Sequence, residues 1–240
     1  MHLFKITGKN YAYSRKLLLK QYNDILEENK VFRNYLPLVQ EFISGKIYDT
    51  VVLAEKGEIL TYFQNIRLRT YPKEGGAYTF AEGIKKNSKM LNYARILIKE
   101  IGWTGPAMIE FMKSDDDNKF YLMEINGRYW GSIPLTVKSG IDVPWLHYLQ
   151  LRKSLKNIKN HHYNIIKLRW LIPGEILWLF DNLKAGNFKS IIAFLHSFSN
   201  SKYAILSIKD PKPFLGNFLY FLVLLKEILI GSRNIMGERT

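Results

Sequence analysis

The sequence predicts an α+β fold in which helices flank an antiparallel sheet, and the sheet carries the polar residues of interest. Three observations predict it. Segments of period two are interspersed with segments of helical period. An acidic turn joins two strand-like runs in the middle of the chain, and the last third is aromatic and helical in pattern. With 47% hydrophobic and 23% charged residues among 240, the chain is globular rather than disordered and long enough for a real core.

Taken in order, Ser14 reads as the N-cap of a helix through about Lys30, with Leu18, Tyr22, Ile25 and Leu26 on one face. Pro37 opens an apolar stretch, Leu38 to Ile43, that ends at Ser44-Gly45. Two strands follow, Thr50–Ala54 and Ile59–Gln64, joined at Glu55-Lys56-Gly57. A loop contains Tyr71-Pro72 and Gly75-Gly76. The next helix runs from about Ser88 to Ile101, with Met90, Ala94, Leu97 and Ile101 as its buried stripe. Gly105–Lys113 and Lys119–Asn126 read as strands around the turn at residues 114–118. Helices are expected near Pro144–Leu151, Glu175–Asn182, Phe188–Phe198 and Phe214–Ile230. The basic, loop-like stretch Arg152–Asn164 suggests two domains, 1–150 and 151–240.

Composition narrows the function. The chain has no cysteine, which excludes a disulfide framework and any thiolate ligand or nucleophile. The N-terminus lacks the apolar region and cleavage site of a signal peptide, so a cytoplasmic location is expected. The net charge is +14. Residues 1–150 carry 21 basic against 16 acidic side chains, and residues 151–240 carry 14 against 5. The basic residues are scattered, with no run of five, so nucleic acid is a poor partner. Anionic substrates or an anionic membrane surface explain the excess equally well. A peripheral position on the inner face of the membrane therefore stands beside the cytoplasmic one. Phe218–Leu225 is apolar or aromatic but short for a span of about 20 residues; an amphipathic helix packed on the domain and an interfacial one both fit it.

The chemistry concentrates in the central hairpin. Side chains alternate along a strand, so Met108, Glu110 and Met112 share a face, as do Leu122, Glu124 and Asn126. If the turn centres on Asp117, Glu110 lies directly opposite Glu124. Opposed like charges destabilise a ladder unless something compensates, and carboxylate and amide oxygens are the ligands Mg²⁺ prefers. An exposed edge hairpin would tolerate the same residues without a metal. Arg128, Trp130 and Ser132 follow in a stretch with glycines at 127 and 131, where the backbone could approach a ligand and Arg128 could fork onto a phosphate or carboxylate.

The run Gly105-Pro-Ala-Met-Ile-Glu-Phe111, the acidic turn, and Tyr121-Leu-Met-Glu-Ile-Asn-Gly-Arg-Tyr-Trp-Gly-Ser132 resembles the last catalytic strands of the ATP-grasp superfamily. The likeness is to its carbamoyl-phosphate synthase-like and carboxylate–amine ligase branches. The resemblance implies an ATP-grasp-type antiparallel sheet with a helical extension, ATP as cofactor, and Mg²⁺ (or Mn²⁺) held by Glu110, Glu124 and Asn126. It implies that Arg128 contacts the transferred phosphate, and that the strand and loop from Gln64 lie on the substrate side with Arg67 as an anion contact. Leu38–Gly45 resembles the adenine hinge, making Gln40, Glu41, Phe42 and Ile43 nucleotide-facing; a buried strand reads the same way. Lys5 is the candidate phosphate-contacting lysine, with a surface lysine as the alternative, and Thr7-Gly8-Lys9-Asn10 is a poor glycine-rich loop. The implied reaction joins a small-molecule carboxylate to an amine through an acyl phosphate. The family's usual N-terminal α/β domain is not in the sequence, so an N-terminally truncated member is expected. A partner chain would then supply that domain. The alternative is an inactive remnant that binds nucleotide or serves as a partner subunit.

Overall fold

Val51, Val52, Leu53 and Ala54 are all fully buried, because the strand that carries them is covered on both faces. That strand, β1 (Gly45–Glu55), lies inside a seven-stranded sheet. The computed structural model describes residues 11–28, 32, 35–72, 76–154 and 162–230. They fall into two compact units, divided between Ile43 and Ser44.

In the first unit, helix α1 (Arg15–Glu28) starts where the sequence predicts, with Ser14 Oγ accepting the Leu17 amide at 3.2 Å. Residues 36–43 have no regular secondary structure. The Tyr22 hydroxyl donates to the Pro37 carbonyl (3.3 Å), and Tyr11 meets Phe42 edge to face.

The second unit is the sheet and its helices. After β1 come β2 (Glu58–Tyr71), β3 (Ala77–Gly83), α2 (Ser88–Glu100), β4 (Gly105–Ser114), β5 (Phe120–Asn126), α3 (Ile133–Lys138), α4 (Val143–Leu151) and β6 (Lys167–Arg169). A turn at Leu171–Glu175 leads to α5 (Ile176–Lys184), α6 (Lys189–His196), β7 (Lys202–Tyr203) and α7 (Lys212–Leu229). The spatial order is β5-β4-β1-β2-β3-β6-β7, antiparallel throughout except for β6 with β7. The α+β class and the antiparallel sheet are as the sequence predicts. The chain beyond residue 150 is largely helical, but it also adds β6 and β7 to the sheet.

Three local expectations change. β1 and β2 are longer than predicted, and β3 occupies part of the region read as a loop. The buried stripe of α2 is Met90, Leu91, Ala94 and Ile98, while Ile101 is half-exposed beyond its end. Its cap is Asn87, whose side chain accepts the Met90 amide at 3.1 Å. Asn87 is itself clamped by buried Gln64, which accepts its amide at 2.7 Å and donates to its carbonyl at 3.2 Å. Gln64 thus ties the helix start to β2.

Each sheet face has its own core. Val52, Ala54, Tyr62, Ala107, Ile109 and Phe111 pack against α2 on one side. Val51, Leu53, Phe63 and Met108 pack against Trp130, Leu135 and Val143 on the other. Across β2, β3 and β6, Glu175 is fully buried and accepts from Thr79 (2.8 Å), Arg69 (2.5 Å) and Arg169 (3.0 Å). The Arg69 guanidinium lies over Phe80 and Trp178, and that of fully buried Arg169 over Phe194 and Phe198. This cluster fastens α5 and α6 to the sheet.

Candidate functional site

On the α3–α4 face the apolar core stops at Val51, Phe63 and Met108, which are paired across β1, β2 and β4. Two residues further along each strand, on the same face, the row turns polar. Asp49 pairs with Asn65 on one side and with Glu110 on the other, and Glu110 pairs with Glu124. Three carboxylates therefore stand in line across adjacent strands. The opposition of Glu110 and Glu124 is the register that a turn centred on Asp117 predicts.

That register holds only at the site end of the hairpin. From Met108↔Asn126 to Glu110↔Glu124 the pairs follow the predicted sum, but Phe111 pairs with Leu122, which leaves Met123 as the extra residue of a bulge.

One guanidinium serves the row. Arg67 binds Asp49 through two nitrogens, Nη2 to Oδ1 at 2.8 Å and Nε to Oδ2 at 3.2 Å, and its Nη2 also lies 2.6 Å from Glu110 Oε1. Asn65 Nδ2 donates to Asp49 Oδ2 at 2.7 Å. Asn126 closes the other end, its Nδ2 donating to Glu124 Oε1 (2.6 Å) and Glu110 Oε1 (3.1 Å). Asp49 is buried, Glu110 and Asn126 are half-buried, and Glu124 is exposed, so the row opens to solvent at its β5 end.

The electrostatics follow. Burial pushes the Glu110 carboxyl up to about 7; the Arg67 charge opposes this, and the Asp49 and Glu124 charges add to it. Burial also works against the Arg67 charge, but Asp49 and Glu110 outweigh it and hold the guanidinium above its ordinary range. With all groups ionised, three carboxylates face one arginine, an excess that a divalent cation would balance. The donor set is entirely oxygen, which suits a hard ion. Among the described residues no group of three or more His, Asp or Glu side chains could hold a metal by itself. A cation in the row would need the amide of Asn126 as its third ligand, with Oδ1 in place of the Nδ2 that now faces the two carboxylates. On this chemistry Glu110, Glu124 and Asn126 fit Mg²⁺.

The structure thus brings Glu110, Glu124, Asn126 and Arg67 together. It gives exposed Arg128 a different contact, Nη1 to the carbonyl of its neighbour Tyr129 at 3.1 Å. Gly127 is required for packing: a Cβ there would lie 2.6 Å from the Trp103 ring. Gln40, Glu41 and Phe42 are exposed and Ile43 half-buried, all in the first unit. Lys5 and the Thr7–Asn10 stretch lie outside the described residues. Sequence reasoning missed Asp49 and Asn65 as members of the network. The signal was present, since Asp49 is in phase with Val51 and Leu53, and an aspartate in phase with a core stripe needs a partner.

A family model described as "ATP-grasp in the biosynthetic pathway with Ter operon" matches residues 36–171, which includes the whole carboxylate row. The chain belongs to this ATP-grasp family. No curated protein matches it. Among solved structures, the ATP-grasp chain is similar to a Campylobacter jejuni biotin carboxylase in complex with β-γ-ATP (16% identity, 64% of this chain and 35% of that one, TM-score 0.46). It is similar also to the biotin carboxylase domain of Hydrogenobacter thermophilus 2-oxoglutarate carboxylase, in complex with MgADP, ADP and bicarbonate (16% identity, 61% and 33%, TM-score 0.44). A third is N5-carboxyaminoimidazole synthetase from Staphylococcus aureus, complexed with ADP (16% identity, 52% and 33%, TM-score 0.39). The chain spans about a third of the length of each.

Proposed function

We propose that the chain is an ATP- and Mg²⁺-dependent ligase that joins a small-molecule carboxylate to an amine through an acyl phosphate. One observation carries the reading: Glu110 stands opposite Glu124, with Asn126 reaching both and Arg67 beside Glu110. Family membership and the residues matched support it.

In the proposed reaction a substrate carboxylate oxygen attacks the γ-phosphorus of ATP and ADP leaves. The amine nitrogen then attacks the acyl carbon, phosphate leaves, and the amine gives up a proton. Glu110, Glu124 and Asn126 would hold Mg²⁺, which when bound supplies charge neutralisation at the phosphates; Mn²⁺ is the alternative ion. Arg67, fixed by Asp49, keeps a positive charge at the substrate side of the row for the migrating group. The role assigned to Arg128 requires its guanidinium to leave the Tyr129 carbonyl and turn to the phosphate. Gln40, Glu41, Phe42 and Ile43 would meet the adenine and Lys5 the phosphates. The chain's work is positioning and electrostatics, as phosphoryl transfer demands.

The test is Mg·ATP turnover with candidate carboxylate and amine pairs. Glu124→Gln and Asn126→Ala should each abolish turnover with the fold intact by circular dichroism. Unchanged turnover in either variant would sink the metal assignment. The poor glycine-rich stretch at residues 7–10 favours a second reading, a nucleotide-binding subunit without its own catalysis. Titration calorimetry with Mg·ATP separates the two, since the subunit reading expects binding no tighter than millimolar.

A further inference from the structure

Helix α7 has two faces of different chemistry. Phe214, Phe221, Leu224 and Leu225 turn inward and pack on Leu171, Ile172 and Ile176. The opposite face carries Leu215, Phe218, Leu219, Leu222 and Val223, all exposed, the most so being Leu219 at 61%. Lys212 and Lys226 are exposed as well. The spacing Lys212, Leu215, Leu219, Leu222, Lys226 is three, four, three, four, so these five lie on one stripe. An apolar stripe of about two turns is therefore bracketed by a lysine at each end, the two lysines about 21 Å apart along the axis. No acidic residue occurs between Asp210 and Glu227.

We propose that this face of α7 docks on an anionic lipid surface, with the helix lying in the plane of the interface. Charge complementarity selects the occupant. Residues 151–240 carry 14 basic against 5 acidic side chains. The lysines stand at the ends of the apolar stripe rather than within it, where their stems cover apolar surface and their ammonium groups reach headgroups. Each lysine near an anionic surface strengthens binding about five-fold. No helix among the described residues is long and apolar enough to cross a membrane, so the geometry is docking rather than spanning. A face made to bury against a second copy of the chain would gain nothing from like charges at both ends.

The experiment is flotation of the whole chain with phosphatidylcholine vesicles, with and without phosphatidylglycerol. Binding is expected on the anionic vesicles and to weaken with salt. The double variant Leu219→Glu/Val223→Glu should bind about ten-fold less tightly, with unchanged circular dichroism because both positions face solvent. Lys212→Glu/Lys226→Glu should lose the preference for anionic lipid. Failure to bind anionic vesicles, or equal binding by the Leu219→Glu/Val223→Glu variant, overturns the proposal. So does concentration-dependent self-association in the ultracentrifuge that the same variant abolishes without vesicle binding; that result would assign the face to a second copy. Mg·ATP turnover is a separate readout, so either proposal can fail without the other.

Discussion

The sheet holds two clusters of acids and arginines, and they differ in composition, burial and saturation. At the β1–β4–β5 row, Asp49, Glu110 and Glu124 outnumber Arg67, and the row ends at an exposed glutamate. Across β2, β3 and β6 the ratio is reversed: Arg69 and Arg169 share Glu175, both Arg169 and Glu175 are fully buried, and aromatic rings cover both guanidinium groups. The first cluster lacks positive charge and has an open side from which a cation can supply it. The second is sealed, and its surplus positive charge rests on ring faces. An acid–arginine cluster on a sheet is thus a candidate site when it is unbalanced and open, and a fastening when it is enclosed.

Substitution at both clusters breaks or sharpens this contrast. The largest effect is expected from Glu175→Ala, which leaves two guanidinium groups without their carboxylate; urea denaturation should show a loss of about 3–5 kcal/mol. Glu124→Gln is the counterpart at the open row. It should change unfolding free energy by less than about 1 kcal/mol while lowering Mg·ATP turnover by at least about a hundred-fold. If Glu124→Gln proves as destabilising as Glu175→Ala, the contrast fails.

A smaller effect comes from Glu110. Its folded-state value of about 7 lies above its ordinary value of 4.5. The folded state therefore binds the proton more tightly, and Glu110 contributes stability below pH 4.5 that is lost as pH rises through 7. The metal-free protein should lose roughly 3 kcal/mol over that window relative to Glu110→Gln, which lacks the titration. Mg²⁺ binding should run the other way, weakening below pH 7 as the carboxyl takes up its proton. Melting curves from pH 5 to 8, with and without Mg²⁺, check both signs. The smallest effect is expected at Arg128, whose guanidinium, among the described residues, meets only the neighbouring Tyr129 carbonyl. Arg128→Ala should leave stability unchanged and lower kcat about ten-fold, and an unaltered kcat would remove Arg128 from the proposed mechanism.

Much of this contrast was legible in the sequence on one side and little on the other. The Glu110–Glu124 opposition is what strand alternation and a turn centred on Asp117 predict, but the ladder beside the turn runs one residue off that register, and the bulge at Met123 restores the opposition. Arg67 was legible as an anion contact, but its bond to Asp49 depends on how β1 and β2 pair, and a strand read as starting at Thr50 leaves Asp49 outside. The sealed cluster was not legible at all. Its members come from β2, β3, β6 and the turn at Leu171–Glu175, and β6 is three residues long, too short to show a period. Likewise β3 begins directly after Gly76, so punctuation that marks a loop ran into the strand. The predicted α2 stripe drifts off the buried face at its C-terminal end, because Leu97 and Ile101 have the same apolar character as the buried Ile98.

The extra residue at Met123 bears on how such a hairpin can change over time. Between the bulge and the turn the pairs follow one register, and between the bulge and Asn126 they follow another, offset by one. The acid-bearing ends of the two strands are therefore in step with each other but not with the turn. A change of one residue in the length of the turn side can be taken up at position 123 without rotating Glu124 away from Glu110. The bulge thus separates the register of the turn from the register that sets the two acids opposite each other.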